Sequence, residues 1–540
     1  MFPPFLVPRP LSLRRLLEGT SVPVPRYPFL QVPLIPVTTS EQSASRDTAA
    51  IAAGTPSRTL MARAGAAAVD AILRHAGQRV SRGVAVFAGT GNNGGDAWVV
   101  AGTLRRAGVP VRVHATGEPN TDDARAARDD AVRGNAFDPP KGDEAVAVDG
   151  LLGTGSSGEA RGAVADALVG LAALRARGAF MLALDVPSGL NASTGEVAVL
   201  TVPADLTVTF GTLKRGLTIR RSFAGKIEVA DIGLGAASAL DDGAPALIDP
   251  RDVRSLVPPI GASAHKGTRG RVVIVGGTKG MAGATVLAAR AALRSGAGLV
   301  RVVVAPESLS ALQAAVPEAT GAVWPQTDRD VAGAAGGADA LVIGPGLGGG
   351  NRALVERILA HDRASTVIDA DALNAFAGDV TGLRTALDGR AAVLTPHPGE
   401  CARLLGIEAA DVLENRFDIG LRLARETNAI VVLKGTPTVI SSPVGRVVVA
   451  PVGSPVLATG GSGDVLAGVA GALLATMPNA YDAALAAVWA HGAAAESVAT
   501  SFVRGSTLED VVHALRDVWR AEPSHLPRGV LALFPAVGEK

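Results

Sequence analysis

The chain of 540 residues predicts an α/β protein made of two parallel sheets, each covered by helices on both faces. Three features carry that expectation. Short β-branched runs alternate with Ala- and Arg-rich helical stretches, and each run ends in glycine or a polar turn. The pattern stops and restarts across residues 236–259, a stretch rich in Asp, Ala, Gly and Pro. In the first series a helix is expected over residues 57–77, with Leu60, Met61, Ala64, Ala68 and Ile72 on one face. Strands follow at 83–89, 109–114, 145–149, 181–185 and 206–210. The second series places strands at 271–277, 299–304, 340–344, 366–369, 392–395 and 430–434. The two series differ in their turns, so they are not an internal repeat. The expected division is a Pro-rich flexible extension at 1–36, a first domain at 37–245, a second at 246–520 and a tail at 521–540.

Bulk composition narrows the class. The net charge is +1, charged residues make up 19% and no basic block stands out, so nucleic acid is not an expected partner. Aromatic residues are only 3%, which leaves few stacking platforms. Cys401 is the only cysteine, which excludes an intrachain disulfide and a cysteine-based zinc site. The longest apolar stretches contain glycine and fall short of the roughly 18 residues that span a bilayer. Residues 1–36 hold nine prolines, four arginines and one acid without a continuous apolar run, so a secretory signal is not expected. These features point to a soluble, cytoplasmic protein with no membrane partner.

The most informative stretch is 458–468, Ala-Thr-Gly-Gly-Ser-Gly-Asp-Val-Leu-Ala-Gly. A turn carrying Gly460, Gly461 and Gly463 runs into an apolar helical segment. That is the composition of an anion cradle, in which backbone N–H groups and a helix N-terminus face an oxyanion. Asp464 is out of place beside a phosphate. Two readings stand at this point: Asp464 takes a proton from a substrate hydroxyl while the cradle holds a phosphoryl group, or it caps the helix.

Other motifs mark the same half. Gly276 to Gly283 follows the first strand, preceded by His265-Lys-Gly267; then come Gly344-Pro-Gly-Leu-Gly348, Asp369-Ala-Asp371, Pro396-His-Pro-Gly-Glu400 and Lys434-Gly-Thr-Pro-Thr438. Polar and glycine-rich turns at successive strand ends are where open α/β sheets bind ligands. Over about residues 250–518 this ordered set resembles the ADP/ATP-dependent NAD(P)H-hydrate dehydratases, on the ribokinase-like fold. The resemblance implies that a nucleotide phosphorylates the ring hydroxyl of (S)-NAD(P)H hydrate and that phosphate then leaves, regenerating NAD(P)H. With ADP as donor the nucleotide product is AMP. It further implies Asp464 as the base, Gly463 in the anion hole, and Lys434, Gly435, Thr436, Pro437 and Thr438 along the nucleotide site. Ala284, Gly346, His397 and Asp464 would contact the hydrate. Magnesium is expected with the nucleotide. The Asn-x-x-Glu of many ribokinase relatives is missing from this half; Glu400 and phosphate-bound water are candidates in its place, and the sequence leaves the magnesium ligands open.

In the first half, Gly89-Thr-Gly-Asn-Asn-Gly-Gly-Asp96 ends the first strand, Asp149 ends the third and Asp185 the fourth. Oxygen ligands with neither thiolate nor imidazole suit a hard or monovalent cation, and exposed N–H groups suit phosphate. The same residues also read as turns and helix caps. Over about residues 38–235 they resemble the YjeF N-terminal family, the NAD(P)H-hydrate epimerases, on a Rossmann-like three-layer fold. The resemblance implies hydrate contacts from Asn92, Asn93, Gly94, Gly95 and Asp96, from Gly153, Thr154, Gly155, Ser156, Ser157, Gly158 and Glu159, and from Asp185. It implies potassium at Asn93, Asp149 and Ser188. Asp185 is the expected acid–base group, with Lys214 a further candidate. Ala62 stands where the family usually has Glu, which touches N-terminal packing rather than the pocket motifs.

Together the halves read as an enzyme that repairs NADHX and NADPHX, the epimerase returning the stranded epimer to a dehydratase selective for the other. A homo-oligomer is expected. The alternative is a ribokinase-like small-molecule kinase fused to a non-catalytic YjeF-type interaction module, for which a stable phosphorylated product would accumulate.

Overall fold

A computed structural model describes residues 35–236, 242–247, 250–450, 452–500, 504–519 and 531–533. Most of the expected extension at 1–36 therefore lies outside the described residues. Among the described residues no helix is long and apolar enough to cross a membrane.

The strands are β1 (Ile35–Thr38), β2 (Val84–Ala88), β3 (Val111–Ala115), β4 (Val146–Gly150), β5 (Phe180–Leu184), β6 (Leu206–Phe210), β7 (Leu213–Lys214), β8 (Lys226–Ala230) and β9 (Ala246–Leu247) in the first part of the chain. Then come β10 (Arg271–Val275), β11 (Leu299–Val304), β12 (Thr320–Val323), β13 (Ala340–Ile343), β14 (Ser365–Ile368), β15 (Ala392–Leu394), β16 (Ile430–Leu433), β17 (Val439–Ser441), β18 (Val447–Val449) and β19 (Leu531–Leu533). Two sheets result. One runs β19-β8-β6-β5-β4-β2-β3; the other runs β12-β11-β10-β13-β14-β15-β16-β17-β18-β9-β1-β7. From β3 to β8 and from β12 to β16 every pairing is parallel.

Burial explains why these strands read as unbroken apolar runs. Val84, Val86 and Ala88 pack into one core layer while Ala85 and Phe87 pack into the layer across the sheet. Val272 and Ile274 face one layer of the second core, and Val273 and Val275 the other. Successive side chains leave a strand on opposite faces, so a sheet covered on both sides must be apolar at every position. The helix Ser462–Leu474 lies so close to the helix Ala282–Arg294 that a methyl on Gly468 would meet Ala288 O at 2.1 Å. Small residues let these backbones approach.

The parallel run of each sheet reverses its strand order once: β2 lies between β3 and β4, and β10 between β11 and β13. At such reversals the loops part and leave a crevice. Both first strands end there in glycine for the same reason. A Cβ on Gly89 would sit 1.9 Å from Leu151 O, and one on Gly276 would sit 1.9 Å from Pro345 O. Neither position admits a side chain.

The sheets also show what the sequence did not. β1, β7 and β9 come from the first part of the chain, yet they extend the second sheet. β9 pairs with β18 on one side and with β1 on the other, so the expected boundary near 245 is a point of stitching. β1 takes in Ile35 and Pro36, assigned from sequence to the flexible extension, and β19, within the expected tail, pairs antiparallel with β8. Two- to four-residue strands carry too little periodicity to be seen in sequence. Arg221 adds a further tie, donating from Nη1 to Gly453 O at 3.0 Å.

Candidate active sites

The second site gathers at the carboxyl ends of β14, β15 and β16 and the start of the helix Ser462–Leu474. Gly461 is the N-cap of that helix, and Asp464 is the third residue within it, with no side-chain cap bond. Among the described residues no group donates a hydrogen bond to the Asp464 carboxylate, so the helix-cap reading fails. Its proton affinity is pushed up to about 7, first by burial, then by the like charge of Asp369, with Lys434 pulling the other way. A carboxyl poised near neutrality suits proton transfer.

Lys434 directly follows β16 and lies among acids. Its Nζ donates to Asp369 Oδ1 at 2.9 Å and lies 3.8 Å from Glu400 Oε2. Burial opposes its charge, but Asp369 and Glu400 outweigh that and hold it above the ordinary lysine range. A methyl on Gly463 would stand 3.0 Å from Nζ. Lys434 is thus beside the cradle itself. Asp369, 1% exposed, also accepts from Thr395 Oγ1 at 2.7 Å. Asp371 Oδ2 accepts from Gly348 N at 2.8 Å, joining two of the strand-end motifs.

The remaining expected residues divide. A Cβ on Gly346 would meet Ala284 Cβ at 3.0 Å, so those two are brought together. His397 caps the helix Pro398–Leu405: Nδ1 accepts from Gly399 N at 3.0 Å and Glu400 N at 3.3 Å, while Glu400 Oε2 accepts from His397 N at 2.7 Å. Only His397 Nε2 stays available, 3.4 Å from Glu400 Oε1. Glu400 thus joins this cap to the surroundings of Lys434. Gly435, Thr436, Pro437 and Thr438 form a tight turn in which Thr438 Oγ1 donates to Gly435 O at 3.0 Å and Arg416 Nη1 to Pro437 O at 2.9 Å. His265-Lys-Gly267, grouped with the strand-end motifs in sequence, lies before the amino end of β10, away from them: a Cβ on Gly298 would meet Lys266 O at 2.2 Å at the start of β11.

The first site forms around the ends of β2, β4 and β5. Asp185 has φ 61°, a conformation that costs a non-glycine residue free energy and is found where a side chain must be aimed. Three donors converge on its Oδ1: Thr209 Oγ1 at 3.1 Å, Phe210 N at 3.1 Å and Lys214 Nζ at 2.5 Å. Oδ2 receives none among the described residues. Lys214, in β7, is 1% exposed and also donates to Phe210 O at 2.9 Å.

Asn93, Gly94, Gly95 and Asp96 are buried in the first turn of the helix Asn92–Arg106, whereas Asn92 is exposed and accepts from Thr121 Oγ1 at 2.7 Å. Asn93 Nδ2 donates to Leu152 O at 2.9 Å, and its buried Oδ1 has no partner. Asp149 Oδ1 accepts from Ser188 Oγ at 2.5 Å, and its Oδ2 from Ser188 N at 2.8 Å. Gly153 lies against Asn93, where a Cβ would meet Asn93 Cβ at 3.2 Å. Along the same loop, Thr154 and Ser156 are partly buried, Ser156 Oγ donating to Gly153 O at 2.7 Å, and Gly155, Ser157 and Gly158 are exposed. Glu159 is turned outward, accepting from Val199 N at 3.1 Å.

Sequence reasoning missed Asp369 as a site residue, although it had marked the Asp369-Ala-Asp371 motif. It missed Asp47 altogether. Asp47 lies in the helix Ser40–Ala52 and feels the charges of Lys214 and Asp185. Nothing around it in sequence marks it, because it meets the site only through tertiary packing.

Two catalytic-type clusters on two α/β frames, each at the carboxyl ends of parallel strands, define a two-site α/β enzyme. The family described as NAD(P)H-hydrate dehydratase matches residues 272–516, and that described as YjeF-related protein N-terminus matches 57–216. The bifunctional NAD(P)H-hydrate repair enzyme Nnr of Moorella thermoacetica is 38% identical over 73% of this chain and 79% of its own length. That of Escherichia coli (strain K12) is 35% identical over 86% and 90%. A crystal structure of the ADP/ATP-dependent NAD(P)H-hydrate dehydratase from Bacillus subtilis, co-crystallised with ATP and magnesium, is 29% identical with a TM-score of 0.45, covering 51% of this chain and 98% of that one. The chain belongs to the bifunctional NAD(P)H-hydrate repair enzymes.

Proposed function

We propose that the chain repairs hydrated NADH and NADPH at two sites, with residues 37–245 epimerising the R and S hydrates and 246–520 dehydrating the S form. The observation that carries the second activity is the Asp464 carboxylate: free of hydrogen-bond donors among the described residues, next to a glycine cradle, and shifted up to about 7. Water is a poor leaving group and phosphate a good one. Asp464 takes the hydroxyl proton as the oxygen attacks the terminal phosphoryl group of the nucleotide, and the cradle at Gly463 with Lys434 stabilises the charge on that group. Phosphate then leaves with the C–O bonding pair while the adjacent ring carbon gives up a proton, whose C–H pair forms the ring double bond of NAD(P)H. With ADP as the donor, the products include AMP and phosphate. Magnesium bound with the nucleotide would offset the negative charge of its phosphates.

In the first half Asp185 Oδ2 faces the hydrate as the acid–base group, while Lys214 and two further donors fix Oδ1. The buried, unpartnered Asn93 Oδ1 beside Asp149 and Ser188 fits a potassium ion, an all-oxygen donor set in which the cation would supply fixed positive charge near the hydrate. The enzyme acts in the cytoplasm as a homo-oligomer. The test is to feed purified protein a mixed-epimer hydrate with ADP, then with ATP. Full recovery of NADH absorbance with release of inorganic phosphate supports the reading; accumulation of a stable phosphorylated product contradicts it.

A further inference from the structure

We propose that Asp47 is a second proton-carrying residue of the N-terminal site, working across the pocket from Asp185; the inference rests on the epimerase reading of that half. The helix Ser40–Ala52 docks on the turn that leads into β7, with Ser43 Oγ 3.3 Å from Thr212 Oγ1. Thr212 O in turn accepts from Lys214 Nζ at 3.3 Å. Asp47 follows Ser43 by one helical turn on the same face, which carries its carboxyl along the wall of the pocket. Arg46, its neighbour on the helix, reaches away to Asp242 at 2.5 and 3.0 Å and does not neutralise it. The charged groups facing Asp47 from other elements are Lys214 of β7, Asp185 after β5, and Asp96 of the helix Asn92–Arg106.

Three carboxylates thus share one ammonium, and that ammonium is already bonded to Asp185. Asp96 is 9% exposed, and among the described residues nothing donates to it. A buried carboxylate without a donor is rare in a folded protein and points to a bound partner that supplies one. A substrate hydroxyl or N–H between Asp96, Asp47 and Asp185 would do so. Burial raises the proton affinity of both Asp96 and Asp47, and the negative charge of Asp185 adds to it. Asp47 is only partly buried, so it exchanges its proton with water, whereas Asp96 is enclosed.

The chemistry calls for two groups. The reacting carbon of the hydrate bears both the hydroxyl and the ring nitrogen. Ring opening breaks the O–H bond, whose electron pair becomes the second C=O bond, and breaks the C–N bond, whose pair takes a proton on nitrogen. Asp185 accepts the first proton and Asp47 donates the second. Rotation of the aldehyde and the reverse transfers close the ring on the other face, restoring both carboxyls.

The test uses the full chain with the purified R epimer of NADH hydrate and excess ADP, and the S epimer as an internal control. Asp47→Asn is expected to lower the R-epimer rate above the uncatalysed background by about 10²-fold and to remove the alkaline limb of its pH profile. Dehydration of the S epimer stays at the wild-type rate. Asp47→Glu is expected to recover part of the loss with the limb moved. An Asp47→Asn rate within about threefold of wild type, or a lower rate with an unchanged pH profile, would overturn the inference. Should Asp47→Asn fail to fold, seen as loss of S-epimer turnover, Asp47→Glu decides: a moved limb supports the inference and an unmoved one overturns it. If the wild type itself accelerates no epimerisation, the epimerase reading falls along with the inference; an active wild type with an unaffected variant sinks the inference alone.

Discussion

Lys434 and Asp369 form an ion pair at 2.9 Å beneath the glycine turn, with Asp369 almost wholly enclosed and Asp464 left outside the pair. The lysine does not neutralise the carboxyl that faces the cradle. It is tied to one acid while a second acid, close by, feels that acid's repulsion. Burial first, and that repulsion second, raise the proton affinity of Asp464.

Removing the charge of Asp369 should therefore be visible at Asp464. Asp369→Asn takes away a like charge and frees Lys434 to turn toward Asp464, and both changes lower the proton affinity of Asp464. With Asp464 as the base, the dehydratase rate should rise as that carboxyl ionises near 7, and in the variant this acid limb should be displaced to lower pH. Measuring the rate on the S hydrate against pH checks this; a limb that does not move would detach Asp369 from the base.

The same shift has a consequence for stability. An acid whose proton affinity is raised by folding is ionised in the unfolded chain first, so folding loses stability as pH rises from about 4 to about 7 and the full penalty remains above. Asp464→Asn removes that penalty. Its melting temperature should exceed that of the wild type at about pH 8, by the equivalent of roughly 1–3 kcal/mol, and match it at about pH 4. Thermal melts at the two pH values give the answer.

At the N-terminal site, Asp185→Asn keeps an acceptor for Lys214 but loses the base. Repair of the R hydrate should fall to the uncatalysed epimerisation rate, with S-hydrate repair unchanged. Stopped assays on each epimer separate the two.

Potassium gives a further check. Asn93→Leu removes the buried oxygen that has no partner and keeps the volume close. The epimerase rate of the wild type should depend on potassium over a large organic cation, and that dependence should vanish in the variant, as read from initial rates in matched salts.

How far the sequence reached depends on what each residue's role requires locally. Eleven strands were visible because a strand buried on both faces must be apolar along its buried length, as 272–275 and 340–343 are. β7, with Leu213 and Lys214 alone, has no pattern to read, and so the second sheet was expected to end within its own half. Asp464 and Asp185 were legible because each abuts a glycine-rich turn or a strand end. His397, expected from the resemblance as a hydrate contact, is the N-cap of the helix that begins at Pro398. Asp47 was not legible: only docking of its helix against β7 brings it to the pocket, and no neighbour in sequence records that contact.

The central claim is that the Asp464 carboxylate removes the proton from the substrate hydroxyl. Single-turnover dehydration of the S hydrate by Asp464→Asn, with nucleotide binding measured in parallel, tests it most directly. The account predicts a loss of about 10²–10⁴-fold in the chemical step with the nucleotide dissociation constant essentially unchanged, because the cradle is spared. A variant that turns over at close to the wild-type rate would contradict it.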